Sequence, residues 1–172
     1  MKRVFLFVLL ITTTAAFAQN EFAATAFYTE LRKIYADGQT GFTNYKGDKR
    51  HGDFEELALE YKVKTLLPLA DSAKIVVPFT GNPYMICYFE PDKVRLKVDQ
   101  RGSNLKDAIL VAFEKPLYGW TETNLVNDRP LTISYYYTDP NEKHSSQAAF
   151  KMTIYYFLGK YYLSLEIRGR NQ

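Results

Sequence analysis

Near the carboxyl end of the chain, two long runs of strand-forming residues are separated by one short turn signal. The runs span residues 151–158 and 161–168, and Gly159-Lys160 lies between them. A two-residue loop with glycine first is typical of a type II′ turn. The pattern predicts a tight hairpin, which restricts the fold to one that contains adjacent antiparallel strands.

The predicted turn also sets a register for this hairpin. With Gly159-Lys160 as the loop, the pairs on one face are all apolar, which predicts that this face packs on the core. These pairs are Leu158 with Tyr161, Tyr156 with Leu163, Ile154 with Leu165 and Met152 with Ile167. The other face carries Phe157 opposite Tyr162, Tyr155 opposite Ser164 and Thr153 opposite Glu166.

Further strand patterns precede the hairpin, and most of them follow one another through short turns. Residues 57–67 alternate apolar and polar side chains, which indicates a half-buried strand. Thr80-Gly81-Asn82-Pro83 has turn chemistry and joins two apolar strands. The predicted strands are 57–67, 74–80, 84–90, 93–99, 120–125, 131–138, 151–158 and 161–168, with 41–50 as a loop or a short strand.

Two helices are predicted as well. Residues 21–36 space their apolar side chains along one helical face and end at Asp37-Gly38. That face comprises Phe22, Ala26, Leu31, Ile34 and Tyr35. Residues 103–115 form the second helix, capped by Ser103. A rival interpretation starts a long helix at Pro91, but the strict alternation of residues 93–99 and Gly102 favour a strand there.

Because the strands mostly succeed one another without intervening helices, the sequence predicts an α+β domain. We expect a mainly antiparallel sheet of about seven or eight strands with two principal helices packed on it. The sequence shows no internal repeat and no linker, so residues 19–172 are predicted to form one domain.

The first 18 residues have the pattern of a bacterial secretory signal peptide. Lys2 and Arg3 precede an apolar run over residues 4–11, and Ala16-Phe17-Ala18 supplies small residues for cleavage after Ala18. The apolar run is too short to span a bilayer. We therefore expect a periplasmic or extracellular protein with no membrane anchor after cleavage.

The net charge bears on which partners the protein can bind, and the cysteine content bears on what stabilises its fold. Cleavage removes two positive charges from a formal net charge of +3, so the net charge gives no electrostatic argument for binding to nucleic acid or to an anionic membrane. Cys87 is the only cysteine, so an internal disulfide is excluded and stability must come from the apolar core.

A search for catalytic and cofactor motifs favours a protein that is not an enzyme. The sequence contains no glycine-rich phosphate loop, no GxSxG, no HExxH and no CxxC. Cys87 lies in an apolar strand, and His51 and His144 lie among charged and turn residues. No catalytic residue, metal site or cofactor is predicted. Residues 139–144 resemble a calcium loop only in their opening oxygen ligands.

The predicted outward face of the last strands is the remaining candidate site. It places aromatic side chains among hydroxyl groups, a combination suited to stacking on sugars or binding a peptide. The candidate ligand-binding residues are Tyr136, Tyr155, Phe157 and Tyr162. The alternative is that a helix or a loop covers this face and makes it a second core.

The leading functional hypothesis is a non-enzymatic binding or interaction domain of the bacterial cell envelope. Its ligand would be a protein, a peptide or a glycan. One alternative is a small secreted hydrolase that uses carboxylates, such as Glu55 with Glu56 or Asp48 with Asp53. Another is a structural component of the envelope that is stabilised by self-association.

Overall fold

A computed structural model describes residues 20–52, 56–113, 118–126, 129–138 and 148–170. The predicted signal peptide, Asp53, Glu55, His144 and the segment 139–144 lie outside these residues. The helices and strands follow the order α1 Thr25–Gly38, β1 Lys46–Arg50, β2 Ala58–Val63, β3 Ser72–Pro78, β4 Tyr84–Asp92, α2 Arg95–Phe113, β5 Tyr118–Val126, β6 Arg129–Thr138, β7 Phe150–Phe157 and β8 Lys160–Arg168.

The strands form one antiparallel sheet in the order β1-β2-β3-β4-β8-β7-β6-β5. The two helices contact each other, and they pack on the central strands β4, β7 and β8. The predicted α+β class, with two helices on a mainly antiparallel sheet, is therefore confirmed. Each half of the chain has the same order, one helix followed by four strands that run up and down, and the last strands of the two halves, β4 and β8, pair at the centre.

The core lies between the helices and the sheet. Phe27, Leu31 and Ile34 face the sheet from α1 because they recur at helical spacing. The sheet contributes alternate residues of its central strands, all of them buried: Met85, Cys87, Phe89, Met152, Ile154, Leu163, Leu165 and Ile167. Helix α1 begins at Thr25, so Phe22 packs in the core from outside the helix, and Ala26 is exposed.

The prediction of a strand over residues 93–99 is wrong, and the long helix is correct. Helix α2 begins at Arg95 and places Ser103 in its interior, where it caps nothing. Of the three apolar residues in the alternating run, only Val98 is buried, while Val94 and Leu96 are exposed. The run is stabilised as a helix by an Arg95–Asp99 ion pair of 3.4 Å at i,i+4 spacing.

The last hairpin is confirmed as a hairpin, but its turn differs from the prediction. The loop is Leu158-Gly159, and both residues have positive φ, 45° and 81°, as in a type I′ turn. The pairs are therefore Tyr156 with Tyr161, Ile154 with Leu163 and Met152 with Leu165. Because the register moves by two residues, every side chain keeps its predicted face while its partner changes.

Candidate functional site

The face of the sheet opposite the helices, called the outer face below, is not contacted by α1 or α2 at its centre, since both helices pack on the other side. Its residues alternate with the core residues along each strand. Tyr88 belongs to it on β4, Ser164 on β8, Thr153 on β7 and Ser134 on β6. The candidate site is built on these four central strands.

A row of hydroxyl groups crosses the outer face at right angles to the strands. Tyr88 pairs with Ser164, Ser164 with Thr153, and Thr153 with Ser134, so the row advances one strand, about 4.8 Å, at each step. The Ser134 and Thr153 hydroxyl oxygens are 3.5 Å apart. Ser134 and Ser164 are buried although the helices lie on the other face. The larger side chains around them therefore screen them from solvent.

On β7 and β8, larger side chains lie on both sides of this row, and the row with these flanking residues is called the trough below. On one side of the row, two residues away along the strands, lie Tyr162 of β8 and Tyr155 of β7. On the other side, at the same distance, lie Glu166 of β8 and Lys151 of β7. The two sides are about 13 Å apart along the strands, the rise of four residues. The trough thus has a floor of small hydroxyl residues, one aromatic wall and one charged wall.

The aromatic rings of the outer face already have partners on their flat sides. Tyr155 and Tyr162 stack on each other, with ring centroids 5.1 Å apart and an angle of 10° between the rings. The Lys151 ammonium lies 5.5 Å from the centre of the Tyr136 ring. Each of these contacts occupies a ring face on which a sugar would otherwise stack. The geometry therefore favours hydrogen bonding to an extended chain over stacking on a sugar.

The structure brings three of the four predicted ligand-binding residues together. Tyr155 and Tyr162 pair directly, and the ring centroid of Phe157 lies 6.5 Å from that of Tyr162. Tyr136 is farther away, because the β6 residue opposite Tyr155 is Thr132, about 13 Å along the strand from Tyr136. Tyr136 is also almost fully buried, whereas Phe157 is well exposed.

The environment of the trough keeps its phenols protonated. Burial raises the pKa of Tyr88, and the nearby Glu60 carboxylate raises it further. Burial likewise raises the pKa of Tyr155, with smaller contributions from Tyr88 and Tyr162. Both hydroxyl groups are therefore neutral at physiological pH and can donate as well as accept a hydrogen bond.

A charged cluster lies on the outer face beside the trough. The Glu60 carboxylate is nearly buried, its Oε1 is 2.7 Å from Lys74 Nζ, and its Oε2 is 3.9 Å from Arg50 Nε. On β8, Glu166 Oε1 accepts a hydrogen bond of 2.6 Å from Arg168 Nε. These carboxylates are neutralised by basic partners, which suits a structural or ligand-orienting role.

The residues considered for catalysis lie apart from the trough. Cys87 is fully buried in the core between sheet and helices, and burial raises the pKa of its thiol to about 12. His51, Asp48 and Glu56 are exposed near β1 and β2. Among the described residues, no group of three or more His, Cys, Asp and Glu side chains is placed to hold a metal ion.

A small cavity of about 100 Å³ lies on the helix side of the sheet. Gly102, Ser103 and Lys106 of α2 line it together with strand residues that include Met152 and Ile154. It is too small for a cofactor-sized ligand, since ligand pockets have volumes of about 300–1,000 Å³.

The sequence pattern did not predict that β4 contributes to the trough. Tyr88 closes the hydroxyl row only because β4 pairs with β8, and 76 residues of sequence separate Tyr88 from Ser164. The sequence carries no local signal for that pairing. Alternation alone places Tyr88 opposite to the Cys87 face, but it gives no neighbour across the strand.

Comparison of the chain with protein-family models, with curated proteins and with solved structures gives no match. Within the part of the chain that the structure describes, no helix is long and apolar enough to cross a membrane.

Proposed function

We propose that this protein is an exported binding domain of the bacterial cell envelope, and that its trough binds an extended peptide segment of another protein. The observation that carries the proposal is the trough itself: a floor of small hydroxyl residues between an aromatic wall and a charged wall, on the face opposite the helices. The pattern at the amino terminus supports export.

A peptide suits this trough better than a glycan does. The stacked Tyr155–Tyr162 pair and the Lys151–Tyr136 contact occupy ring faces on which a sugar would stack. A peptide backbone carries one donor and one acceptor at each residue, and the partly exposed hydroxyl groups of Tyr88, Thr153 and Tyr155 can satisfy both. The Lys151 ammonium, across the strand from Glu166, offers a positive charge to an acidic side chain of the same peptide.

Site-specific photo-crosslinking tests the proposal in growing cells. A benzoylphenylalanine introduced at Thr153 should capture one protein partner, and the same group at Val111, exposed on helix α2, should not. Crosslinking at both positions with equal yield, or at neither, would contradict the proposal.

A second variant tests the trough by filling it. Thr153→Tyr fills the floor of the trough and should abolish capture of that partner from a crosslinker placed at Lys151. Thr123→Tyr is the matched control, because Thr123 is exposed on β5 but pairs with Ile133, whose side chain lies on the opposite face. If Thr153→Tyr instead reduces retention on purified peptidoglycan, the ligand is a glycan and the peptide proposal is wrong.

A further inference from the structure

The tip of the β7–β8 hairpin exposes three consecutive large apolar side chains. Tyr156 is 44% exposed, Phe157 57% and Leu158 81%. The alternation of the strands directs Phe157 to the outer face and Tyr156 to the opposite face, so the tip is apolar on both sides. A cluster of this kind at the end of a hairpin marks an interaction site.

The backbone at the tip places a leucine in a conformation that favours glycine or asparagine. Leu158 has φ 45°, a left-handed conformation that suits glycine or asparagine and strains a leucine. Phe42 and Leu69 also have positive φ; Phe42 is fully buried, so its packing offsets the strain, whereas Leu69 is exposed, although less than Leu158. Leu158 is exposed and gains no comparable packing within the chain.

The start of α2 extends the apolar surface beside the tip. Asp92 at the end of β4 pairs with Tyr161, and Tyr161 pairs with Tyr156, so residues that follow Asp92 lie at the same end of the sheet. Val94 and Leu96 are both exposed there.

Basic residues surround this apolar end. This end of the sheet carries four basic residues, Lys93, Arg95, Lys97 and Lys160, and three acidic residues, Glu90, Asp92 and Asp99. The local balance is positive by one charge, and two of the cations are paired, Lys97 with Asp92 and Arg95 with Asp99. Lys93 and Lys160 are exposed and can reach headgroups while their aliphatic stems lie along the apolar surface.

A collar of tyrosines lies directly below the tip. Tyr155 and Tyr162 stack on the outer face, and Tyr156 and Tyr161 pack on the other face with ring centroids 4.8 Å apart. Tyrosine is enriched at membrane–water interfaces, where its ring is in the apolar layer and its hydroxyl group in the polar one. From the tip toward the middle of the sheet, exposed apolar side chains come first and the tyrosine side chains follow, with the exposed lysines beside them.

We propose that the tip of the β7–β8 hairpin, with Val94 and Leu96, inserts into the headgroup region of a lipid bilayer that contains anionic lipid. A bilayer surrounds an inserted hairpin, so it covers both apolar sides of the tip, whereas a flat protein partner covers one side. The exposed lysines complement anionic headgroups. This proposal does not depend on peptide binding in the trough.

Vesicle co-sedimentation of the chain from Gln19 onward tests the proposal. The protein should sediment with vesicles of equimolar phosphatidylglycerol and phosphatidylcholine, and more weakly with phosphatidylcholine alone, since each cation near an anionic surface adds modestly to binding. Phe157→Ser should lower the partition coefficient about tenfold or more, as expected when one large apolar side chain is lost from the inserted surface. Phe79→Ser is the matched control, because Phe79 is 60% exposed at the opposite end of the sheet, and it should leave binding within about twofold.

Leu158→Asn separates insertion from folding. Asparagine followed by Gly159 is a preferred type I′ turn, so this variant should unfold at a higher temperature than the parent while binding vesicles several-fold less. Thr153→Tyr should leave vesicle binding unchanged, which distinguishes a failure of the trough from a failure of the tip.

Three results would overturn the proposal. The first is no sedimentation with either vesicle. The second is an equal effect of Phe157→Ser and Phe79→Ser. The third is a dimer, detected by sedimentation velocity without lipid, that Phe157→Ser dissociates, which would assign the tip to a second copy of this chain.

Discussion

Replacing the buried Gly169 with alanine should destabilise the protein more than replacing Gly41, which has open space around it. Gly169 packs against the end of α1, where a Cβ atom would overlap the Gly38 carbonyl oxygen and lie 3.1 Å from its carbonyl carbon and 3.0 Å from Phe42 Cε2. Two of these atoms belong to the backbone, so no rotamer change relieves the overlap. The strand end and the helix end must move apart.

The cost of that movement follows from the contacts that it breaks. The Arg170 N–H donates to Gly38 O at 3.0 Å and the Gly169 N–H donates to Pro83 O at 2.8 Å. Weakening these two bonds costs about 0.5–1.5 kcal/mol each, and overpacking beside the buried Phe42 costs about 1–3 kcal/mol. The expected loss is about 3 kcal/mol, a large fraction of a typical unfolding free energy.

Urea unfolding followed by far-ultraviolet circular dichroism measures this loss. Gly41→Ala is the control, because Gly41 has φ 75° with nothing within 4 Å of its added Cβ, so only backbone strain of about 1 kcal/mol is expected. A loss below about 1 kcal/mol for Gly169→Ala, or one no larger than for Gly41→Ala, would refute the close-approach argument.

Three further predictions concern the core and the outer face. Gly102→Ala should stabilise the protein slightly, by less than about 1 kcal/mol in thermal unfolding, because alanine favours the helix and the adjacent cavity lets Ile154 Cδ1 move away; a loss above about 1 kcal/mol would contradict this. Glu60→Gln should cost about 2 kcal/mol in urea unfolding, since it leaves Lys74 beside an uncharged group; an unchanged stability would mean that the pair contributes nothing. The Cys87 thiol should resist alkylation at pH 8 until the chain unfolds. Because folding raises the pKa of this thiol from 9.0 to about 12, its contribution to stability is complete below pH 9 and is lost as the pH rises to about 12. A urea midpoint that does not change with pH over that range would contradict this prediction.

The sequence predicted the faces of the last hairpin correctly but not its register. Alternation along β7 and β8 depends on local side-chain chemistry, and it gave the right inward set, including Met152, Ile154 and Leu165. The register depends on which two residues turn. The glycine preference for positive φ is satisfied whether Gly159 is first or second in the loop, and the structure makes it second by placing Leu158 in a strained conformation.

The start of α2 shows a limit of periodicity. Alternating apolar and basic residues over 93–99 fit a half-buried strand, yet Val94 and Leu96 are exposed. Alternation predicts a strand only when its apolar face is buried, and burial depends on what the rest of the chain places against that face. Here no described strand pairs with the segment, and helical ion pairs stabilise it instead.

The sequence predicted the α+β class, the two helices and the inward face of the last two strands, because helical and strand periodicity and turn residues act over a few neighbouring positions. It also named three of the aromatic residues that cluster at the hairpin. Only the tertiary structure decided that β4 pairs with β8, which joins the two halves of the sheet and places Tyr88, Ser164 and Thr153 in one row. That pairing links distant segments, and its free energy comes from burying both halves of the sheet under the same two helices, a property of the whole fold that no local pattern encodes.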